Sequence, residues 1–455
     1  GNGIVRNMIN FEYVISGMTM GMSDMYNKVE VLEPYADTFN EKVTHIDNKY
    51  SNQNVSMLFN SYCEPKHGET IRELMPSWHH HFSDSGGLQI SRSKKGLTPE
   101  IRDKIYTHQA TYSDIAMIFD DIPVEFDGSN TGWSMKTSTA GRRFVRELTG
   151  EKARSTLGNV KRQIEIFNKL ESDTKITLIV QGQDVDSYRE YIETIVNGLT
   201  DEELKSCVSI SLASACSGSG FNNRMEMIYA CKEFQIPMEL KSNVHLLGVG
   251  SHDMMTPFFV SPEYFDFVKT LSYDSSTQAN SWFFSRYRNK DWKNIEIDSP
   301  AGDYRQRRND SPNTERVTSS TGKTLEQMYT EQLVPSYGEL FELNKDAFTK
   351  FGIPNLKHLI EESTKWSTKN VEKARLYNSD EGKHGAKLLP FFNQMQVVEH
   401  FMDRVQKLTD NPSQIKDRGL SQVKDWDMFI NGWLPYQGTM DKLPTEFAGS
   451  LSEFF

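Results

Sequence analysis

The sequence predicts an α/β chain, a (β/α)8 TIM-like barrel followed by a C-terminal helical extension. Three observations carry that prediction. Short apolar runs alternate with polar turns and helical stretches at a period of roughly 30 to 50 residues. About eight such units are complete before residue 280, which suits a closed barrel better than an open doubly wound sheet. No G-x-G-x-x-G turn opens the chain, as a dinucleotide-binding sheet would require.

Phe11–Ile15 and Val55–Phe59 read as the first two strands, and Ser77–Phe82 as the end of a third. Thr98-Pro99-Glu100 opens a helix toward Tyr112, because threonine caps well and proline suits a first helical turn. Ile115–Phe119 is an apolar strand ending in Asp120-Asp121-Ile122-Pro123. After a polar loop over 128–138, a basic helix is expected, carrying Arg142, Arg143, Arg146, Lys152, Arg154, Lys161 and Arg162. Ile176–Val180 is a strand stopping at Gln181-Gly182, and a helix follows over about 187–197. Cys207–Leu212 is strand-like, a helix runs from Arg224 to Phe234, and Val244–Gly250 is a strand ending in glycines. A helix near Glu263–Val268 precedes the last strand, Leu271–Ser276.

Residues 8–298 are thereby assigned to the barrel. The segment 299–323, rich in Arg, Asp, Ser and Thr, reads as a polar loop or linker, and 324–455 as a helical region. There Phe391, Met395, Val398, Met402 and Val405 recur at alternating spacings of four and three, one apolar face for packing on the barrel or in a small helical domain.

A hydrophobic content of 37%, with 26 Phe and 18 Tyr, supports a large core and excludes a disordered composition. The net charge of −11 excludes a general polyanion binder, so any nucleic-acid contact needs a local basic patch on a negative body. The four cysteines (Cys63, Cys207, Cys216, Cys231) form no C-x-x-C pair, which points to reduced thiols in a cytoplasmic setting. No run of about 18 apolar residues suggests a membrane span. Gly1–Asn7 lacks an apolar signal core, and Met8 is the expected native start.

Four polar groups fall at the carboxyl ends of apolar strands: Asp84, Asp120, Gln181 and Asp274. In a parallel barrel those ends gather at one mouth, where the active sites of such barrels lie. An aspartate at a strand–helix turn is often a helix cap, but caps do not account for four polar groups in register. The turn Ser83-Asp84-Ser85-Gly86-Gly87-Leu88-Gln89 sets its acid among small residues, and the paired glycines tolerate positive φ and close approach.

Asp84-Ser85-Gly86-Gly87-Leu88-Gln89, Phe119-Asp120-Asp121, Val180-Gln181-Gly182, His245-Leu246-Leu247-Gly248-Val249-Gly250 and Tyr273-Asp274-Ser275-Ser276 occur in that order. Together they resemble the motifs of the guanine transglycosylases, the base-exchange enzymes of queuosine and archaeosine biosynthesis, over roughly residues 55–290. The resemblance implies a (β/α)8 barrel and assigns roles position by position. Asp274 matches the nucleophile that attacks C1′ of a nucleoside and forms a glycosyl-enzyme. Asp84 matches the acid/base residue, and Asp120 and Gln181 match the side chains that bind the purine edge. Ser85, Gly86, Gly87 and Leu88 would line the pocket, and Gly248 and Gly250 would leave room for base or sugar. No redox or nucleotide cofactor is required.

The departures choose the branch. The tRNA enzymes of the family carry a C-x-C-x-x-C and histidine zinc site after the nucleophile, whereas no cysteine follows Cys231 here, so no zinc is expected. Leu88 stands where an aromatic is usual, and no RNA-binding module is appended. These losses point, by resemblance, to the branch that replaces guanine in DNA with a 7-deazaguanine such as 7-cyano-7-deazaguanine, in phages and bacterial modification clusters, shielding DNA from restriction. Expected partners are DNA with a flipped or single-stranded guanine, the 7-deazaguanine base, and an ATP-dependent accessory protein that opens the duplex. The expected location is cytoplasmic, the host cytoplasm if phage-encoded.

Phosphate contacts are expected from Arg286, Arg288 and Lys290, interleaved with Trp282, Phe283 and Tyr287, and from Arg142, Arg143 and Arg146, with Arg305, Arg307 and Arg308 as a third group. Such runs are also common solvated faces. His79-His80-His81 invites a metal, but consecutive strand residues face opposite ways, so burial and hydrogen bonding are the expectation. Cys216–Gly220 reads as a free loop. Three rivals stand beside this reading: a tRNA enzyme without zinc, a non-catalytic nucleic-acid-binding subunit, and a glycoside hydrolase on a similar barrel.

Overall fold

The computed structural model describes residues 8–16, 29–87, 96–126, 142–213, 227–249, 252–260, 262–275, 286–288, 294–297, 315–317, 336–350, 352–359 and 389–410. Eight strands close a barrel: β1 (Asn10–Ile15), β2 (Gln53–Asn60), β3 (His81–Asp84), β4 (Ile115–Met117), β5 (Lys175–Val180), β6 (Cys207–Leu212), β7 (Asn243–Leu247) and β8 (Thr270–Ser275). Every neighbouring pair is parallel, and β8 closes on β1 with Asn10 opposite Thr270 and Val14 opposite Asp274. The architecture is the (β/α)8 barrel with a C-terminal helical part.

Strands buried on both faces should be apolar throughout, and β5, Lys-Ile-Thr-Leu-Ile-Val, is buried at every position after the first. The helices that cover the barrel include α1 (Val29–Lys49), α2 (Pro65–Leu74), α3 (Pro99–Tyr112), α4 (Thr149–Lys169) and α5 (Val185–Asn197). Thr98 caps α3 through its hydroxyl oxygen, which accepts from Ile101 N at 3.3 Å. Asp184 and Ser187 form a reciprocal capping box on α5, whose Tyr188, Tyr191, Ile192 and Ile195 make one buried face.

Four expected boundaries shift. Arg142 and Arg143 belong to no helix: Arg142–Phe144 pairs antiparallel with Val124–Phe126, and α4 starts only at Thr149. Val145 N extends that ribbon to Pro123 O at 2.9 Å, so cross-strand pairing overrides the helix read from charge spacing. The described part of 224–234 ends in a 3-10 turn, Cys231–Glu233, and 263–268 shrinks to the 3-10 turn Pro262–Phe265. β7 ends at Leu247, because Gly248 turns the chain at φ 74°.

After the barrel come α6 (Ser336–Leu343), α7 (Lys345–Lys350) and α8 (Leu389–Asp410). Phe391, Met395, Val398, Met402 and Val405 of α8 are all buried, and they join the barrel's own apolar core. Polar bonds fix the docking: Tyr13 OH donates to Gln394 Oε1 at 2.6 Å, and Tyr50 OH to Asp403 Oδ1 at 2.7 Å. Glu399 takes Lys42 and Lys49 as partners; burial would raise its pKa, but the two ammonium groups outweigh it and hold it low. The segment 299–323 lies almost wholly outside the described residues. Among the described residues no helix is long and apolar enough to cross a membrane.

Candidate active site

Because all eight strands run the same way, their carboxyl ends share one rim. Asp84 is the last residue of β3, and its ladder partner is Asn60 at the end of β2. Asp274 lies one residue before the end of β8, between Val14 of β1 and Leu247 of β7. Gln181 directly follows β5, and Asp120 lies three residues past β4.

Asp274 is buried and hydrogen-bonded. His245 Nε2–H donates to its Oδ1 at 2.7 Å, while Ser272 Oγ bonds His245 Nδ1 at 2.7 Å. The period of two along β8 sets Ser272 and Asp274 on one face, and the β7–β8 register sets His245 opposite Ser272. The two bonds fix the plane of the His245 ring between Ser272 and Asp274. One carboxylate oxygen is thus occupied, and among the described residues the other takes no hydrogen bond.

Asp84 keeps slight exposure at the rim. Burial raises its pKa first; a bond from Gly86 N at 3.4 Å opposes that, and the negative field of Asp274 raises it further. The two carboxyl groups therefore share one electrostatic environment. Gly86 adopts φ 73°, and a Cβ there would stand 2.5 Å from Tyr62 Cβ. Its bare backbone is thus demanded by a protein contact. Ser85 is buried and spends its hydroxyl on Ile118 O at 3.1 Å, tying the end of β3 to that of β4. A Cβ added at Gly87 would meet the Phe119 ring at 3.6 Å, an ordinary contact, so that position is not closed to a side chain by packing.

Asp120 and Gln181 meet directly, with Gln181 Nε2 donating to Asp120 Oδ2 at 2.5 Å. Burial pushes the Asp120 carboxyl up to about 6, against that bond, with the fields of Asp84 and Asp121 adding to the rise. Gln181 Oε1 is buried and accepts no hydrogen bond among the described residues. A buried acceptor without a donor costs roughly 1–3 kcal/mol, which a ligand N–H would recover. Asp121 turns outward instead: its carboxylate accepts from Ser155 Oγ, and its backbone N–H donates to Thr156 Oγ1, both on α4.

Sequence reasoning thus brought Asp84, Asp120, Gln181 and Asp274 to one rim, and missed His245 and Ser272. The alternation of Ser272 with Asp274 was visible, but their bonding to His245 needs the inter-strand register. Leu88, Gly250 and Lys290 lie outside the described residues, as do Arg305, Arg307, Arg308 and Cys216–Gly220. Gly248 ends β7. Arg286 and Arg288 sit in a short strand, Arg286–Arg288, paired antiparallel with Asn294–Ile297. Several cations of the basic stretch are already engaged: Arg146 with Glu190, Lys161 with Glu203, and Arg162 with Asp103 and Glu165.

The histidine triplet divides. His81 is buried, with Nε2–H donating to Met75 O at 2.9 Å and Nδ1 accepting from Arg72 at 2.8 Å. His80 Nδ1 bonds Glu12 Oε1 at 2.7 Å, and His79 is exposed. A cavity of about 960 Å³ opens at this amino-terminal end of the barrel, away from the four rim groups. Of the segments after β3, β4, β6 and β8, residues 88–95, 127–141, 214–226 and 276–285 lie outside the described residues.

No protein-family model matches the chain, and no curated protein matches it. The barrel and the rim geometry therefore carry the functional reading.

Proposed function

We propose that this chain is a transglycosylase that exchanges guanine in DNA for a 7-deazaguanine, such as 7-cyano-7-deazaguanine, through a covalent glycosyl-aspartate. The observation that supports it most is the pairing at one rim of two electrostatically coupled acids, Asp84 and Asp274, beside the Asp120–Gln181 couple with its open acceptor. Two carboxyl groups provide for displacement at an oxocarbenium-like carbon, and the couple provides a purine edge with partners. A glycoside hydrolase would use the first pair and leave the second without a role.

In this reading the free oxygen of Asp274 attacks C1′ as the C1′–N9 bond to guanine breaks. His245 holds the other oxygen and so keeps the carboxylate from rotating. Asp84, kept protonated more readily by its raised pKa, gives its proton to the departing guanine. The incoming 7-deazaguanine then loses a proton to the Asp84 carboxylate and attacks C1′ from the face guanine left, releasing Asp274. Two inversions retain configuration. Asp120 and Gln181 Oε1 accept from the purine N–H and exocyclic amine.

A stacked guanine hides both C1′ and its edge, so the substrate nucleotide is flipped or single-stranded, and an ATP-dependent partner that opens duplexes fits this need. The reading implies a cytoplasmic setting, the host cytoplasm for a phage-borne chain, and a role in protecting DNA from restriction. The test is incorporation of labelled guanine into DNA and into tRNA by the purified chain. Exchange into DNA that vanishes in Asp274→Asn supports the proposal, whereas exchange into tRNA alone replaces the DNA substrate with RNA.

A further inference from the structure

The histidine triplet takes no part in the proposed exchange, yet it meets a buried acid at the opposite end of the barrel. His79 and His80 precede β3, where backbone bonds to Val55 O (3.0 Å) and Ser56 Oγ (2.9 Å) hold the chain beside β2. The two imidazoles do not diverge as they would on a regular strand: their ring centroids lie 4.3 Å apart at 60°. Glu12 of β1 is buried against them, and one ligand atom from each of Glu12, His79 and His80 lies within 4.8 Å of the others.

We propose that Glu12, His79 and His80 form a binding site for a divalent transition-metal ion of the Zn²⁺ type. Two imidazoles and one carboxylate are the donor set such borderline ions prefer. Ser56 Oγ bonds Glu12 Oε1 and supplies an outer-shell partner, and His80 Nδ1 lies 2.7 Å from that same oxygen, so an ion would replace the proton the two share. Asp47, fixed by Asn54 Nδ2 at 2.9 Å, adds a second negative field that reaches both Glu12 and His79. Glu12, His79 and His80 all line the 960 Å³ cavity, which supplies an entry path and room for water or a further ligand at the open positions. This site stands apart from the rim acids, and the inference does not depend on the base exchange.

The test uses the tag-free full chain, stripped with chelator and titrated with Zn²⁺ by calorimetry and with Co²⁺ by visible absorption. Expected are one equivalent bound, a d–d band for Co²⁺, and a rise in melting temperature with Zn²⁺, since an ion held only by the folded state stabilises it. His79→Ala should weaken Zn²⁺ binding by at least about tenfold. Its exposed position leaves the fold intact, which an unchanged urea midpoint without metal would verify. His80→Ala should abolish the Co²⁺ band. The proposal is overturned if the wild-type chain takes up no stoichiometric Zn²⁺, or if His79→Ala and His80→Ala bind it as tightly as wild type. Glu12 and His80 would then be a buried hydrogen-bonded pair and nothing more.

Discussion

Replacing Asp120 with asparagine tests the electrostatics of the rim without any substrate. The folded protein raises this carboxyl from an ordinary 3.8 to about 6, first by burial and then by the neighbouring acids Asp84 and Asp121. A folded-state pKa above the unfolded one means that the folded chain binds the proton more tightly, so this group's contribution falls as pH rises from about 4 through about 6. At about 1.36 kcal/mol per pH unit the full rise corresponds to roughly 3 kcal/mol, and partial exposure at the rim lowers that to about 1–3 kcal/mol. Asp120→Asn keeps an oxygen for Gln181 Nε2 and carries no charge. The variant should match wild type in urea unfolding near pH 4 and exceed it by about 1–3 kcal/mol near pH 8. Base exchange should be lost in the same variant, since the purine edge loses an anionic acceptor. Equal stability of the two proteins near pH 8 would refute the idea that the fold holds a desolvated carboxylate here for a ligand.

Other substitutions probe the remaining parts. Asp274→Asn should lower exchange at least about a thousandfold and trap no glycosyl-enzyme on denaturing gels, with its near-native fold checked by circular dichroism. Asp84→Asn should cost about a hundredfold to ten-thousandfold, and should abolish the decline in rate expected of wild type as pH rises through the raised Asp84 pKa. His245→Gln removes a charge-assisted bond to Asp274 worth about 1.5–3 kcal/mol, so kcat should fall roughly ten- to 150-fold with little change in KM. Gly86→Ala combines positive φ with a Cβ 2.5 Å from Tyr62 Cβ, and should cost about 1–3 kcal/mol in urea unfolding.

The barrel was legible because each strand is a short apolar run closed by polar or small residues, and because the helices between them keep their apolar faces in phase. The same simplicity exposed the rim: once the strands are parallel, residues at their carboxyl ends must gather, so the place of Asp84, Asp120, Gln181 and Asp274 at one end of the barrel was readable from the sequence. The stripe Phe391–Val405 on α8 was readable from spacing alone, although the spacing did not say which surface it covers.

Local order along the chain determined the strands, most helices and the four rim groups, since those depend on residues that are neighbours in sequence. Tertiary structure decided whatever depends on register between distant segments. Arg142–Phe144 became a strand because Val124–Phe126 offered it a partner. His245 came to hold Asp274 because β7 and β8 pair at that offset. His79 and His80 came to face Glu12 because β1 lies beside β2 and the chain bends before β3. A hydrogen bond acts over about 3 Å, so partners tens or hundreds of residues apart become visible only once the barrel has closed.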